Sequence, residues 1–600
     1  MEPTRIFDIP RLQQQKYPKT DAIATKVAGK WTLISTDTYI KTSEQVACGM
    51  LDLGIKKGDT IATISSTNRS EWNYIDMAIQ MTGAIHVPVY PTISDSDFRF
   101  IFNEAGIKCI FVSDEGLFKR VVSICNDIPT LEAIYTFNEV KGAKSWKDIL
   151  PMGNKPGLAQ ALEEVKNTIT SDDTATIIYT SGTTGIPKGV MLSHQNILSN
   201  VIASHPLVPV SYTDKALSFL PLCHIYERML NYLYQYSGIS IYYAENFDTI
   251  GDNLKEVKPA IFVAVPRVLE KIYSKIMAVG SQLTGIKKSL FDWSLDLGAK
   301  YEHYHANGVW YDMKLFVARK LVFSKWKAAV GGKLKVVVSG GAALQPKIAR
   351  LFWAAGIPVL EGYGLTETSP VIAVNNLIPG NLCFGTVGPV LPGVEVKIAD
   401  DCEILCKGPN IMKGYYKHQD TTAEAISSGG WFHTGDIGMM VDNKFLKITD
   451  RKKALLKTSG GKYIAPLPIE SALKESPYIE QVMVIGDGQK FTAALIVPNF
   501  QNLEKWCEAK KLKFAGHAEM ITSEQILALF NSEIEKYNKN FGHIEQVKRF
   551  ELIANEWTVE GGEITPKLDI KRKVIMQKYN ALVDKIYNSI PPPEIKNPSI

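Results

Sequence analysis

The 600-residue sequence predicts an α/β protein: a large N-terminal domain of mostly parallel sheets covered by helices with a short-stranded β subdomain, and a small α+β domain at the C-terminal end, with the boundary at 449/450. Three observations predict it. Helix and strand signals alternate from about residue 30 to 110 and resume after 216, and αβ units of that length build a parallel sheet covered by helices. Beyond about residue 390 the pattern changes to short strands and tight turns, such as Pro392-Gly393 and Asp442-Asn443. A charged run, Asp450-Arg-Lys-Lys453, then sets off the smaller unit. A chain of this length exceeds what one core organises, so at least two domains are expected.

Taken in order, residues 42–51 read as a helix with a capping-type start and Gly54 behind its end, and 59–65 read as a strand. Ser70 is placed to cap a helix that stops at Gly83; 84–89 is strand-like, 97–105 is helical up to Gly106, and 108–112 is a strand. Further on, 216–219 is a strand, 221–224 a turn ending in His224, and 225–236 an aromatic-rich helix followed by a strand through Tyr243. Residues 261–265 form a buried strand. Residues 266–330 are helical and rich in Lys, Trp and Tyr, among them Lys287, Lys288, Trp293, Trp310, Lys314, Arg319, Lys320 and Trp326. Such a section is either a basic amphipathic face for an anionic membrane surface or a solvated helical hairpin on the body. Residues 334–343 are a buried strand running into Gly340-Gly341, and a helix runs to Gly356. Ligands of parallel sheets gather where loops leave the carboxyl ends of strands. The Gly340-Gly341 and Gly362-Tyr363-Gly364 turns are both expected there. The smaller unit should hold a hairpin (482–485 and 491–497, turning at Asp487-Gly488), helices near 500–512 and 523–540, and a final helix from about 570. An extended tail is expected from Pro591 to Ile600.

Composition narrows the class. A 45% apolar, 22% charged chain is ordinary for a globular protein. A net charge of +5 is mild at this length, and no zinc-finger, RNA-recognition or sustained basic-helix pattern accompanies it, so no nucleic acid is expected. Eight cysteines with no secretory leader before them predict reduced thiols in a cytoplasm. Cys402 and Cys406 lack a second pair and read as packing rather than zinc. No run reaches the roughly 18 apolar residues of a membrane span; the longest uncharged stretch, 229–244, is full of tyrosines and contains Gly238. Any membrane contact would be made from the surface.

Chemistry concentrates in Ile177-Ile-Tyr-Thr-Ser-Gly-Thr-Thr-Gly-Ile-Pro-Lys-Gly-Val-Met191. Between two β-like apolar runs lie Gly182, Gly185 and Gly189, the hydroxyls of Thr180, Ser181, Thr183 and Thr184, and Lys188. Glycines let the backbone approach an anion, hydroxyls and N–H groups donate to it, and lysine adds a point charge. That makes a polyphosphate cradle; the same residues can also form a plain surface turn. It is not a Walker A loop, which opens a helix with Gly-Lys-Ser/Thr, whereas Lys188 precedes Gly189 and a second strand.

Four segments, in order, resemble the core motifs of the adenylate-forming acyl-CoA synthetases over nearly the full length: 177–191, 361–370 (Glu-Gly-Tyr-Gly-Leu-Thr-Glu-Thr-Ser-Pro), 431–438 (Trp-Phe-His-Thr-Gly-Asp-Ile-Gly) and 446–470. Within that superfamily, Phe219-Leu-Pro-Leu-Cys-His-Ile-Tyr-Glu-Arg228 and 431–438 look most like the long-chain fatty acyl-CoA synthetases. The resemblance implies a large N-terminal domain and a small mobile C-terminal one. It implies ATP, Mg2+ and CoA as reactants with a medium- to long-chain fatty acid, giving acyl-CoA, AMP and pyrophosphate through acyl-AMP. A carboxylate must there meet the α-phosphate of ATP. Cations and N–H donors aimed at the developing charge are the remedy, each worth about 3 kcal/mol by analogy with oxyanion holes.

By that resemblance, Thr180 to Lys188 hold the β- and γ-phosphates, and Glu367, beside Thr366, holds Mg2+ with a hydroxyl from Thr184. Tyr363 stacks on adenine, and Gly340, Gly341, Gly362 and Gly364 permit close backbone approach. Asp436 accepts from the ribose hydroxyls and Arg451 reaches ribose or phosphate. Lys453 stands at the family's hinge position, Lys457 with Ser459-Gly460-Gly461 falls where the thioester-forming face is built, and His224 joins the catalytic set. Read alone, Asp436 is a turn residue, Glu367 a helix-start carboxylate, and Lys452, Lys453 and Lys457 a solvated cluster. The acyl tunnel is expected beside 225–243 and 340–365.

One departure matters. The family's C-terminal lysine, which reaches the α-phosphate, falls on Asp569 in Thr565-Pro-Lys-Leu-Asp-Ile-Lys-Arg-Lys573. A carboxylate beside a phosphate adds repulsion, so the role passes to Lys567 or Lys571, with Lys571 preferred. Two other functions fit the same residues: an acyl-AMP ligase serving a carrier-protein thiol or an amine, and a fatty-acid- or nucleotide-binding regulator. A dimer, and peripheral attachment to the inner face of a membrane, are compatible with the leading reading.

Overall fold

The computed structural model describes residues 2–181, 187–246, 248–558, 560–565 and 570–588. The expected tail from Pro591 to Ile600, and Lys567 and Asp569, lie outside the described residues. The chain forms two compact units, one of residues 1–399, 404–434 and 440–447, the other of 400–403, 435–439 and 448–600.

Among the described residues the larger unit contains two eight-stranded sheets. One runs in the order Val371–Val374, Val359–Gly364, Val336–Ser339, Ile261–Ala264, Lys215–Ser218, Ser240–Tyr243, Ile23–Val27 and Lys30–Ile34. The other runs Gly414–Tyr415, Pro187–Ser193, Thr174–Ser181, Ile85–Val89, Thr60–Ile64, Cys109–Val112, Ala133–Thr136 and Lys144–Ser145. Their central pairs are parallel. A strand covered on both faces needs no polar alternation, and every residue of Thr60–Ile64 and of Cys109–Val112 is buried. The αβ alternation read from the sequence is therefore present. Two details differ. The helix expected from 42 begins at Thr36, because the Ser35 hydroxyl accepts from the Thr38 N–H at 3.1 Å, while Ser43 donates inside the helix to the Tyr39 carbonyl. Ser70 is the first helical residue rather than the cap, and its N–H donates to the Thr25 hydroxyl.

A polar network lies inside this unit with no exposure of its charges. Asp76, from helix Ser70–Met81, accepts from Arg228 and from the Tyr232 hydroxyl (2.6 Å), both on helix Ile225–Tyr236. His86, from strand Ile85–Val89, lies 2.7 Å from Asp76 through Nδ1 and 2.7 Å from the Thr63 hydroxyl through Nε2. Arg228 also donates to Thr176 at 2.8 Å. Charges taken out of water in this way persist only when every lone pair finds a donor.

Short strands follow as expected: Glu395–Ile398, Glu403–Lys407, Phe432–Val441 and Phe445–Arg451, and the division between the units falls within the last three. The smaller unit is built on a three-stranded sheet. Ile479–Ile485 pairs antiparallel with Ala493–Pro498, which pairs parallel with Arg549–Leu552. Alternation of period two divides its core. Val482, Val484, Ala494 and Ile496 face helices Pro466–Leu473, Phe500–Ala509 and Glu524–Asn538. Met483, Leu495 and Val497 face Trp557 and helices Arg572–Lys578 and Asn580–Asn588.

Candidate active site

The phosphate-loop stretch is a β-hairpin. Thr174–Ser181 and Pro187–Ser193 pair antiparallel with Thr180 opposite Lys188 and Ser181 opposite Pro187. Ile178, Val190 and Leu192 are buried in one core cluster and Ile177 in another, so the paired strands are covered on both faces. Gly189 is obligatory here: a Cβ would lie 2.7 Å from Ile177 Cγ2 and 3.1 Å from the Tyr179 ring. Gly182, Thr183, Thr184 and Gly185, and with them the reading of Thr184 as a metal ligand, lie outside the described residues.

Lys188 and Glu367, 179 positions apart, are brought to one place by a residue that sequence reasoning missed. Strand Gly414–Tyr415 adds to the hairpin with Tyr415 opposite Val190. The Lys188 ammonium lies 5.5 Å from the Tyr415 ring centroid, and the Tyr415 hydroxyl donates to Glu367 Oε1 at 3.0 Å. Burial, with the Glu367 carboxylate beside it, holds the Tyr415 phenol well above its ordinary range, so it remains a donor. Glu367 lies in a 3₁₀ turn, Thr366–Thr368, held by the Leu365 N–H on the Thr368 hydroxyl (2.9 Å) and by the Met412 N–H on the Glu367 carbonyl (2.8 Å). Thr366 is buried.

The glycines 362–364 are not a turn, as the sequence suggested, but the end of strand Val359–Gly364. That strand pairs parallel with Val336–Ser339 up to Glu361 and then antiparallel with Val371–Val374. A second antiparallel partner keeps the backbone extended past the point where a parallel strand would stop. Ser339 lies opposite Glu361, where the parallel pairing ends. Gly341 has φ +83°. A Cβ on Gly340 would meet the Tyr226 ring at 3.1 Å, and one on Gly364 would lie 1.7 Å from the Pro370 carbonyl oxygen. Gly364→Ala should therefore destabilise the protein by about 1–3 kcal/mol, read as a lower thermal midpoint together with lost activity. Burial pushes Glu361 up to about 8, so its carboxyl adds no negative charge at neutral pH. His224 is the N-cap of helix Ile225–Tyr236: its Nδ1 accepts from the Tyr226 N–H at 3.1 Å, and its ring faces Tyr90 edge-on at 6.5 Å. With Nδ1 accepting, the ring proton is on Nε2. Tyr226 in turn donates to the Val338 carbonyl at 3.2 Å, so His224 is tied to the Gly340 end of the sheet.

Asp436, Arg451, Lys453, Lys457, Gly460 and Lys571 all belong to the smaller unit. Asp436 is nearly buried and ion-paired to Arg451 at 3.6 Å. Lys452 pairs with two carboxylates, Asp401 at 2.6 Å and Glu403 at 2.8 Å. Glu403 also accepts from the Gly435 N–H, next to Asp436 within strand Phe432–Val441, so Asp436 is not the turn residue that it suggests when read alone. Lys453 is exposed on the 3₁₀ turn Lys452–Ala454. Lys457 sits in the two-residue strand Leu456–Lys457 opposite Tyr463, with its ammonium 5.5 Å from that ring, and Gly460 is in the exposed turn that follows. Lys571 is exposed and caps helix Arg572–Lys578; its N–H donates to the Glu563 carbonyl at 2.7 Å. The next residue, Arg572, pairs with Glu470 and donates to the Val484 carbonyl at 2.8 Å, anchoring this end of the segment to the core.

Residues 11–416 match the family model described as AMP-binding enzyme, and 453–591 match the model described as AMP-binding enzyme C-terminal domain. The chain belongs to the AMP-binding enzyme family. It is similar to long-chain-fatty-acid–CoA ligase FadD15 of Mycobacterium bovis, 31% identical over 581 residues that cover 94% of this chain and 93% of that protein. It is also similar to long-chain-fatty-acid–CoA ligase 1 of Cavia porcellus, 31% identical over 91% of this chain and 81% of that one. In fold it resembles the A domain of a carboxylic acid reductase from Segniliparus rugosus solved with AMP and a co-purified carboxylic acid. The TM-score is 0.72 at 19% identity, over 97% of this chain and 94% of that one.

The residues of this AMP-binding enzyme suit the reactants that its family uses. Glu367 offers a hard oxygen ligand of the kind that Mg2+ takes. Gly340, Gly341 and Gly362 leave the backbone there without side chains. Tyr415, Tyr226 and Arg572 were given no role from the sequence, and Lys452 was read only as part of a solvated cluster. Tyrosines and basic residues are common, and nothing in their spacing marks the contacts they make across long sequence distances.

Proposed function

We propose that this AMP-binding enzyme is a long-chain fatty acid–CoA ligase. It activates a fatty acid with ATP to acyl-AMP, releases pyrophosphate, and passes the acyl group to CoA with release of AMP. The observation that carries the reading is the Lys188–Tyr415–Glu367 arrangement on the paired strands Thr174–Ser181 and Pro187–Ser193, in a chain that aligns over 91–94% of its length with relatives of that name. Mg2+, when bound, draws charge from the phosphate oxygens. The protein's own groups do the rest. Lys188 and the hairpin hydroxyls of Thr180 to Thr184 hold the β- and γ-phosphates, and Glu367 with Thr184 orients the metal. Tyr363 and the glycines receive the adenine, while His224 lies at the sheet end where the carboxylate enters. In the smaller unit, Asp436 and Arg451 take the ribose and Lys571 reaches the α-phosphate. Rotation of residues 450–600 about Lys453 then presents Lys457 and Gly460 for thioester formation. Peripheral membrane contact through 266–330 and a cytoplasmic location belong to the same proposal.

The test is AMP formation with palmitate and octanoate, with and without CoA and with a carrier protein. CoA-dependent AMP release with palmitate is expected; none with any fatty acid overturns the reading, and release that needs a carrier protein favours the acyl-AMP ligase. For the lysine, Lys571→Ala should lower pyrophosphate release about 10²-fold, as loss of one transition-state donor does, and Lys567→Ala should have little effect. Equal rates in both variants would remove the assignment to Lys571.

A further inference from the structure

Residues 309–329 of the larger unit form helix Val309–Ala318, a π turn, Arg319–Phe323, and helix Ser324–Ala329. The inner face is committed to the body. Leu315, Ala318, Phe323 and Trp326 are buried, Trp326 meets Phe323 edge-on at 5.2 Å and Phe352 at 6.0 Å, and Tyr311 donates to the Leu297 carbonyl at 2.8 Å. Arg319 donates to the Ala354 carbonyl at 2.8 Å. The outer face should then be polar, and it is not. Val309, Trp310, Met313, Phe316, Val317 and Leu321 are all exposed, Trp310 by 77% and Phe316 by 69%. Positions 309, 313, 316 and 317 fall at i, i+4, i+7 and i+8, so they form one stripe rather than scattered apolar residues. Single exposed apolar side chains are ordinary, but a continuous stripe marks an interaction surface.

Charge decides what it meets. Residues 309–329 carry five basic side chains, Lys314, Arg319, Lys320, Lys325 and Lys327, against one acid, Asp312. Asp312 is engaged by His305 at 2.6 Å. A two-fold pairing with a second copy would set two faces of the same net positive charge against each other. A surface of anionic headgroups over acyl chains satisfies both features at once, with aromatic rings at headgroup depth and ammonium groups on phosphates. Among the described residues, no helix is long and apolar enough to cross a membrane.

We propose that the outer face of residues 309–321 docks this protein onto membrane surfaces that contain anionic lipid, with Trp310, Met313 and Phe316 entering the headgroup–acyl boundary and Lys314 and Lys320 pairing with headgroup phosphates. The proposal deepens the membrane contact given under Proposed function by naming its face and rests on that reading; vesicle binding is read without turnover, so its failure is distinguishable from failure of the ligase reading. The full-length protein is sedimented with vesicles of phosphatidylcholine alone and of phosphatidylcholine with phosphatidylglycerol. Expected are strong retention on the anionic vesicles, a decline with added salt, and at least a tenfold loss of partition in Trp310→Glu/Phe316→Glu. Lys314→Glu/Lys320→Glu should lose the preference for anionic vesicles. Both variants should keep their thermal midpoint and their octanoate-dependent AMP formation in lipid-free buffer, which separates docking from catalysis. As a second measurement, lipids brominated on the acyl chains should quench wild-type tryptophan fluorescence more than that of Trp310→Phe. The proposal is overturned if wild type ignores anionic vesicles, if Trp310→Glu/Phe316→Glu binds them undiminished, or if quenching is the same in Trp310→Phe. A dimer that Trp310→Glu/Phe316→Glu dissociates, without vesicle binding by wild type, would assign the face to a second copy.

Discussion

Replacing Glu367 by Gln is expected to lower fatty-acid-dependent pyrophosphate release by about 10³-fold, the upper part of the range for removing one group that meets charge developed in the transition state. The fold should survive, because the amide oxygen still accepts from the Tyr415 hydroxyl that now lies 3.0 Å from Oε1, and the 3₁₀ turn is held by backbone and Thr368 contacts. What disappears is the negative charge. The half-saturating Mg2+ concentration should rise with the loss of rate, and a titration of activity against Mg2+ reads both at once. Tyr415→Phe is the companion. It keeps the ring under Lys188 but removes the donor to Glu367, and should cost about tenfold, in keeping with about 1.5 kcal/mol for a hydrogen bond to a charged group. A Glu367→Gln variant whose Mg2+ dependence matches wild type would remove this residue from the metal site, whatever its rate.

Arg228→Met should be the most destabilising single change in the larger unit, by about 3–5 kcal/mol, because it strands Asp76 as an uncompensated charge with no water to receive it. The denaturant midpoint of unfolding measures the loss. Removing both charges in Arg228→Met/Asp76→Leu should recover most of it, since an ion pair replaced by apolar groups of similar volume is often neutral. A single variant within about 1 kcal/mol of wild type would mean that the pair does not contribute as a buried charge pair. The same cluster sets an acid limit. Burial and the neighbouring Arg228 lower His86 from 6.5 to about 4, so the native ring is neutral where the unfolded one is protonated. The unfolded state binds more protons across that window, and stability falls as pH drops from about 6.5 toward 4. Asp76, held below the usual carboxylate range by Arg228 and His86, contributes stability that is lost only as pH falls further. His86→Gln should flatten the upper part of that slope, read from thermal midpoints across the same pH range.

Much of the architecture was legible because its signals are local. Helix Ile225–Tyr236 and strands Thr60–Ile64, Cys109–Val112 and Ala493–Pro498 declare themselves through periodicity and bounding glycines. Errors came where two local signals competed. Thr42-Ser43 and Ser35 are both plausible caps, and the choice fell to the serine whose hydroxyl is not already bonded within the helix. The extended glycines 362–364 were read as a turn because glycine favours turns; a second strand partner, far along the chain, overrides that preference.

The site divides in the same way. Residue types alone suggested a polyphosphate cradle around Lys188 between two strands, whereas the metal and ribose roles of Glu367 and Asp436 came from the resemblance to a family and not from residue type. The need to gather anions selects glycines, hydroxyls and a lysine wherever they occur. Only the folded chain decided that Lys188 and Glu367 share Tyr415, that Lys452 pairs with Asp401 and Glu403, that Arg572 anchors the helix which Lys571 caps, and that the apolar stripe of 309–321 points outward. Chemistry is written in side-chain composition and short spacing. Which distant groups meet, and which apolar face is left outside, depends on strand register and helix orientation, and these are settled only when all the surfaces compete for burial together.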